Sequence, residues 1–314
     1  MLPAGEMSGI DADPRRGVTE IRRAVRLRAS LTGYALAMPA GLLLAIVILM
    51  PIVAVILLSF SDYTLGALDW EFIGLSNYRK LLSDAVFWRS IRNTFFYVAI
   101  VVPGSVGLGL LLALLVHQRT RTRRLYEIVF FLPVTGTLVA MAIVWQFLLH
   151  SRVGPVNLFL LENSFERIGF FTDPRLAMLS LSLIGIWQLA GFNMILFLAG
   201  LSAIPKDIYD AAALDGIDGG VDRLVRITWP LLGPTTMFVT ITTSITAFQV
   251  FDTVAVLTRG GPRGSTDVLL YQAYLEGFQY FEIGYAACLT VVFLVFILLF
   301  SLMQVRFFDK RVHY

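Results

Sequence analysis

One cysteine and three histidines in 314 residues leave little room for several kinds of chemistry. Cys288 alone can form neither an intramolecular disulfide nor a multi-cysteine metal site. His117, His150 and His313 are isolated in sequence, so the clustered residues expected of a polytopic membrane enzyme are missing. His117 has no second histidine or carboxylate beside it that would suggest a metal ligand. No GxxxxGK[ST], HExxH or GxSxG pattern occurs, and the chain carries no recognisable nucleotide-hydrolysis or hydrolase site of its own. Charge is also scarce. Only 15% of residues are Asp, Glu, Lys or Arg while 57% are hydrophobic, a membrane-protein composition. A formal charge of +3 could favour nucleic acid, but the arginines surround apolar runs instead of forming one basic face.

Six stretches hold no charged residue: Leu31–Phe60, Asn93–Val116, Ile128–Leu149, Leu176–Pro205, Ile227–Phe251 and Ile283–Val305. Each supplies the roughly 20 apolar residues that cross a bilayer core as a helix. Backbone groups in lipid must be satisfied within the segment, so helices follow. The expected fold is an all-α polytopic membrane protein of six transmembrane helices. Residues 1–30 form a basic tail, 31–308 the six-span domain, and 309–314 a second tail.

Basic residues set the orientation. The tail before residue 31 holds six Lys or Arg, 119–124 four, 206–226 three and 306–311 three, against nine on the other side. The positive-inside rule places both termini in the cytoplasm. The first apolar run is about twice as long as a signal-peptide core of roughly 7–15 residues, which predicts an uncleaved anchor.

Between spans 1 and 2, LSNYRKLLSDAVFWRSI places Leu75, Tyr78, Leu82, Val86 and Phe87 at near-helical spacing. This predicts a short helix on the outer face, anchored by Tyr78 and Trp88. Gly104, Gly107 and Gly109 in span 2 superficially resemble a nucleotide-binding pattern, but no strand precedes them, and close helix packing is expected. Trp145-Gln146, Trp187-Gln188, Asn193 and Phe248-Gln249 place amides and aromatics within or at the ends of spans. Such groups bond between helices or line a pathway. In combination they suit a sugar or polyol, whose C–H faces stack on rings while its hydroxyls bond amides.

Segment 205–234 is the polar exception between spans 4 and 5. Ile208–Leu214 favours helix, the glycines 216, 219 and 220 interrupt it, and Val221–Trp229 resumes until Pro230. Helix, break and helix make an elbow at the membrane surface.

With these residues in view, the chain resembles the membrane permeases of ABC importers, of the sugar type related to maltose-transporter subunits. The cytoplasmic signature of that family is Glu-Ala-Ala, three residues, Gly, nine residues, Ile-x-Leu-Pro. Here it reads Asp210-Ala211-Ala212, three residues, Gly216, ten residues, Ile227-Thr228-Trp229-Pro230. Phe72, Gly74-Leu75, Asn77-Tyr78 and Asn93-Thr94 match the family's segment before span 2, and Gly260-Gly261-Pro262, Ser265-Thr266 and Tyr271 match its outer loop.

The resemblance implies a coupling helix comprising Asp210, Ala211, Ala212, Ala213, Leu214, Asp215, Gly216, Ile217 and Asp218. It implies a substrate pathway near Gln188, Phe192, Phe248, Gln249 and Asp252. The implied partners are a second homologous permease, two copies of a cytoplasmic ABC ATPase, an extracytoplasmic solute-binding protein and membrane lipid, but no nucleic acid. The implied location is the cytoplasmic membrane of a bacterium or archaeon. This chain is expected to bind no cofactor, ATP and Mg2+ residing in the ATPases.

The expected function is non-catalytic: half of a translocation pathway for a sugar or sugar-like solute. Glycerol-3-phosphate or a related glycerophosphodiester is the alternative within the family. No arginine lies inside the six uncharged stretches, which leans toward an uncharged sugar. An ion-coupled secondary transporter would need intramembrane carboxylates, and these stretches have none. The outer Gly-Gly-Pro turn argues against a polyamine or phosphate permease.

Overall fold

The computed structural model describes residues 33–34, 36–119, 121–217 and 219–309; the side chains of 308 and 309 are outside that description. The basic tail, Asp218 and the residues beyond 309 therefore lie outside the described residues. Two units emerge, Met1–Val55 and Ile56–Tyr314.

Helix α1, Leu36–Leu58, is apolar throughout and none of its most apolar window is buried within the protein. In lipid an exposed leucine or valine needs no protein cover.

The second unit contains the remaining helices. α2 is Ser76–Ser83 and α3 is Ala85–His117. The single outer helix expected across this region is divided at Asp84. Its carboxylate accepts the N–H of Val86 at 2.8 Å and starts α3 there, because an N-terminal amide without an intrahelical partner prefers a carboxylate. The buried face of α2 is Asn77 and Leu81, while Leu75 and Leu82 are exposed, so the expected apolar stripe is displaced. Asn77 explains this by donating to the carbonyls of Ser59 and Ser61 at 3.0 and 2.8 Å. Tyr78 bonds Ser59 at 2.8 Å and its ring lies tilted 5.4 Å from that of Phe60, and Trp88 is exposed.

α4 is Arg123–Thr135 and α5 is Leu138–Leu148, with a 98° bend between them. After α6, Pro155–Glu162, the long α7 covers Ala177–Ala203. α8 is Lys206–Leu214, α9 is Gly220–Leu231 and α10 is Gly233–Phe248, the last two bent by 72°. α11, Leu269–Tyr274, leads through a widened turn at Leu275–Gln279 to α12, Ile283–Asp309. Among the described residues the only β pairing is an isolated bridge between Ser61 and Phe72.

Among the described residues four helices are long and apolar enough to span unbroken, and six spans result when each bent pair counts as one. The third and fifth of the six expected spans are the bent pairs, α4 with α5 and α9 with α10. Gly136 adopts an extended backbone after Pro133, and Thr137 restarts the helix by accepting the N–H of Ala140. In the fifth span the helix continues through Pro230 and turns at Leu232, where Pro234 can open a new helix because its missing N–H has no intrahelical partner there.

α3 and α7 form the central pair. A Cβ on Gly109 would meet the Cβ of Asn193 at 2.6 Å, so only glycine admits this approach. A Cβ on Gly104 would meet Ile186, whereas Gly107 faces open space and takes no part in the packing expected of it. One buried cluster gathers Tyr97, Val101, Leu181, Ile184, Phe248, Leu269 and Phe293; another gathers Val116, Met194, Phe197, Leu201, Leu232 and Val239.

Candidate functional site

The elbow starts where Pro205, extended at ψ 137°, ends α7 and opens α8. Asp207 lies in the first turn of α8, where negative charge complements the helix dipole. At the other end Gly216 is left-handed, with φ 82°. The Ile217 N–H donates to the Ala212 carbonyl at 2.9 Å and the Gly216 N–H to that of Ala213 at 3.1 Å. This pair of bonds is a Schellman cap, and its geometry calls for glycine. The glycine of the signature therefore stops the helix in a fixed direction.

Tyr209 joins the arms of the elbow. Its hydroxyl lies 3.3 Å from that of Thr228, and the Arg223 guanidinium sits 5.3 Å over its ring. Sequence reasoning passed over Tyr209, although it is the only aromatic between Phe197 and Trp229. Ala212 faces inward, half-buried Ile217 flanks the cap, and Asp210, Ala211, Ala213, Asp215 and Gly216 are exposed. Leu214 is 90% exposed at the tip. Val221, Val225 and Trp229 are exposed at four-residue intervals along α9, while Asp222 pairs with Arg226 at 2.6 Å. An apolar tip framed by carboxylates is suited to a complementary protein surface.

The candidate pathway residues fall into two groups. Gln188 and Phe192 lie one turn apart on α7, half-buried and exposed respectively. Phe248 is buried at the end of α10, its ring 5.4 Å from Phe95 and 5.0 Å from Phe300. Gln249 is exposed beyond α10 and Asp252 is half-buried. Among the described residues no hydrogen bond or ring contact joins the α7 pair to the other three. Asn193 is instead a helix-to-helix clamp, accepting from the Thr243 hydroxyl at 2.9 Å and donating to Ser105 at 3.4 Å.

At the end of α7 remote from the elbow, the Gly-Gly-Pro loop is held to α3 over a long sequence separation. Asn93 donates to the carbonyls of Gly264 and Asp267, both at 2.9 Å, and the Thr94 hydroxyl accepts the Leu269 N–H at 3.0 Å. Asp267 is buried and accepts from Arg89 at 3.3 Å and Gln272 at 2.7 Å. Burial pushes its carboxyl above the usual 3.8, with these two donors opposing the rise. Asn93-Thr94 and the loop motif, matched separately in sequence, are two halves of one contact. Arg259, Gly260, Arg263 and Gly264 all take positive φ, giving the loop a tightly folded path.

Among curated proteins, the chain is 34% identical over 255 residues to the sulfoquinovosyl glycerol transport system permease protein of Agrobacterium fabrum, covering 81% of this chain and 82% of that one. It is 32% identical over 252 residues to the sn-glycerol-3-phosphate transport system permease protein of the same organism, covering 79% and 84%. Its fold matches a solved bacterial ABC transporter involved in import of the acidic polysaccharide alginate, with a TM-score of 0.81 at 22% identity over 93% of this chain and 100% of that one. Residues 105–314, containing the elbow, both bent spans and the Gly-Gly-Pro loop, match the model of binding-protein-dependent transport system inner membrane components. By that match and by identity above 30% over most of its length, this chain belongs to the binding-protein-dependent ABC importer permeases, as an inner membrane component.

Proposed function

We propose that this chain is one of two permease halves through which a sugar or sugar-like solute is imported, driven by two cytoplasmic ABC ATPases. The carrying observation is the elbow: a glycine-capped helix between α7 and α9, clamped through Tyr209, with Leu214 at its uncovered tip. ATP and Mg2+ belong to the ATPases. Their closure displaces the elbow, and α7 with the bent α9–α10 pair transmits that displacement. A solute-binding protein delivers the substrate to the opposite face, and both termini are cytoplasmic.

The relatives named above are described as carrying sulfoquinovosyl glycerol or glycerol-3-phosphate, solutes that pair hydroxyls with an acidic group. In this chain the candidate contacts within the membrane are amide and aromatic, from Gln188 and Phe192, with no cation among them. We therefore assign to this chain recognition of the hydroxylated part of the solute; any acidic group is met by another subunit. Glycerol-3-phosphate remains the second reading, favoured by the identity to its permease.

The test is ATP-dependent uptake of labelled neutral saccharides and glycerol-3-phosphate into vesicles containing the co-expressed complex. Saccharide uptake supports the first reading and uptake of glycerol-3-phosphate alone supports the second. ATP-independent uptake driven by an ion gradient contradicts both.

A further inference from the structure

Where α5 ends, the chain after it and the Leu257–Pro262 segment border a half-open cavity of about 420 Å³. α7 separates it from the elbow by 27 helical residues, roughly 40 Å at about 1.5 Å per residue. Small-molecule sites commonly occupy roughly 300–1,000 Å³. None of the residues assigned above to coupling or to the membrane pathway lines it.

The wall combines the Phe170 and Phe171 rings with Gln146, His150, Thr172 and Thr258, and no charged side chain. Phe171 packs against the buried cluster, which makes its ring a supported platform. His150 Nδ1 accepts the N–H groups of Arg152 at 3.2 Å and Val153 at 3.3 Å. The proton of the neutral ring is therefore on Nε2, and that N–H is a donor left over from local structure. Gln146 makes no side-chain hydrogen bond to a described residue and offers both a donor and an acceptor. Thr258 is committed, donating to the Val254 carbonyl and accepting from Thr266 at 2.7 Å, so this side of the wall is fixed.

Aromatic platforms with an amide and an imidazole N–H suit a ring that shows C–H groups on its face and hydroxyls at its edge. A phosphate, sulfonate or carboxylate would find no cation in this wall. One ring contact connects the helix that supplies Gln146 to the helix that carries Gln188. Gln146 follows Trp145, whose ring packs edge-on against Trp187 at 5.3 Å, and Trp187 precedes Gln188.

We infer that this cavity is an entry subsite for one uncharged pyranose ring, occupied before the solute reaches Gln188 and Phe192. The inference rests on the sugar-permease reading. Its test places a cysteine at Thr172 (Thr172→Cys), with Ser151→Cys as a second probe, in the co-expressed complex in nanodiscs. The native Cys288 is buried and remains a weak background. Alkylation by an impermeant maleimide is timed with glucose, galactose, maltose, lactose or glycerol-3-phosphate at millimolar concentration, and uptake of the same compounds is measured in vesicles.

The expected result is that a neutral saccharide slows labelling at either position several-fold and glycerol-3-phosphate does not. Phe171→Ala abolishes the protection and raises the KM for uptake several-fold with Vmax retained. Saccharide uptake without protection at either cysteine overturns the subsite and leaves the permease reading intact. Protection by glycerol-3-phosphate alone overturns the assigned ligand class. Protection by a saccharide that the complex fails to import supports the subsite and contradicts the sugar reading. Neither protection nor import overturns both.

Discussion

The Thr243 hydroxyl on α10 donates to the side-chain carbonyl of Asn193 on α7 at 2.9 Å, and the same amide reaches Ser105 on α3. Three membrane helices meet at one buried asparagine. Asn193→Ala removes both bonds and is expected to destabilise the permease by about 0.6–2 kcal/mol, the range for interhelical hydrogen bonds in membranes. Thermal melting of the purified complex checks this; an unchanged midpoint would show that the amide does not hold the helices together.

Gly109 and Gly107 make a matched pair. Gly109→Ala drives a Cβ into Asn193 and is expected to cost about 1–3 kcal/mol, while Gly107→Ala meets no neighbour and is expected to be near neutral. Equal melting shifts in the two variants would contradict the packing of α3 on α7.

Asp267 gives the outer loop a pH dependence. Burial raises its folded-state pKa above the unfolded value, so the folded form holds a proton that the unfolded form releases between those values. Stability contributed by this site therefore increases as pH falls from neutral toward 3.8 and decreases on the way up. Protection of the Gly-Gly-Pro loop amides, exchange being referred to its intrinsic rate at each pH, should rise on acidification, and Asp267→Asn should remove that rise. Protection that falls in acid, in the wild type alone, would mean that the Arg89 pair outweighs the cost of burial.

The uncharged runs, the polar elbow and the Gly-Gly-Pro turn were legible because composition and spacing carry them. The bends were not. Pro133, Gly136, Gly233 and Pro234 lie inside uncharged runs, and hydropathy records how apolar a segment is without recording its direction. Asp84 divided the predicted outer helix because a carboxylate that can cap α3 competes with continuing α2. The joining of Asn93 to Gly264 was invisible in sequence, since only the fold brings positions so far apart together. Gly216 was read as a break; its left-handed cap gives that break a geometry.

Arg263 and Val221 lie at opposite ends of the proposed topology, and both are exposed. In intact cells or right-side-out vesicles, Arg263→Cys should react with an impermeant maleimide and Val221→Cys should react only after permeabilisation. The reverse pattern would invert the orientation.

The coupling role of the elbow is tested most directly by ATP-driven uptake and ATPase co-purification in wild type, Gly216→Pro and Leu214→Glu. Gly216→Pro is incompatible with the left-handed cap, and Leu214→Glu leaves that cap in place but charges the exposed tip. The account predicts that both variants insert normally, lose ATPase co-purification and lose uptake. Wild-type uptake and ATPase retention in both variants would contradict it and reduce the elbow to a connection between spans.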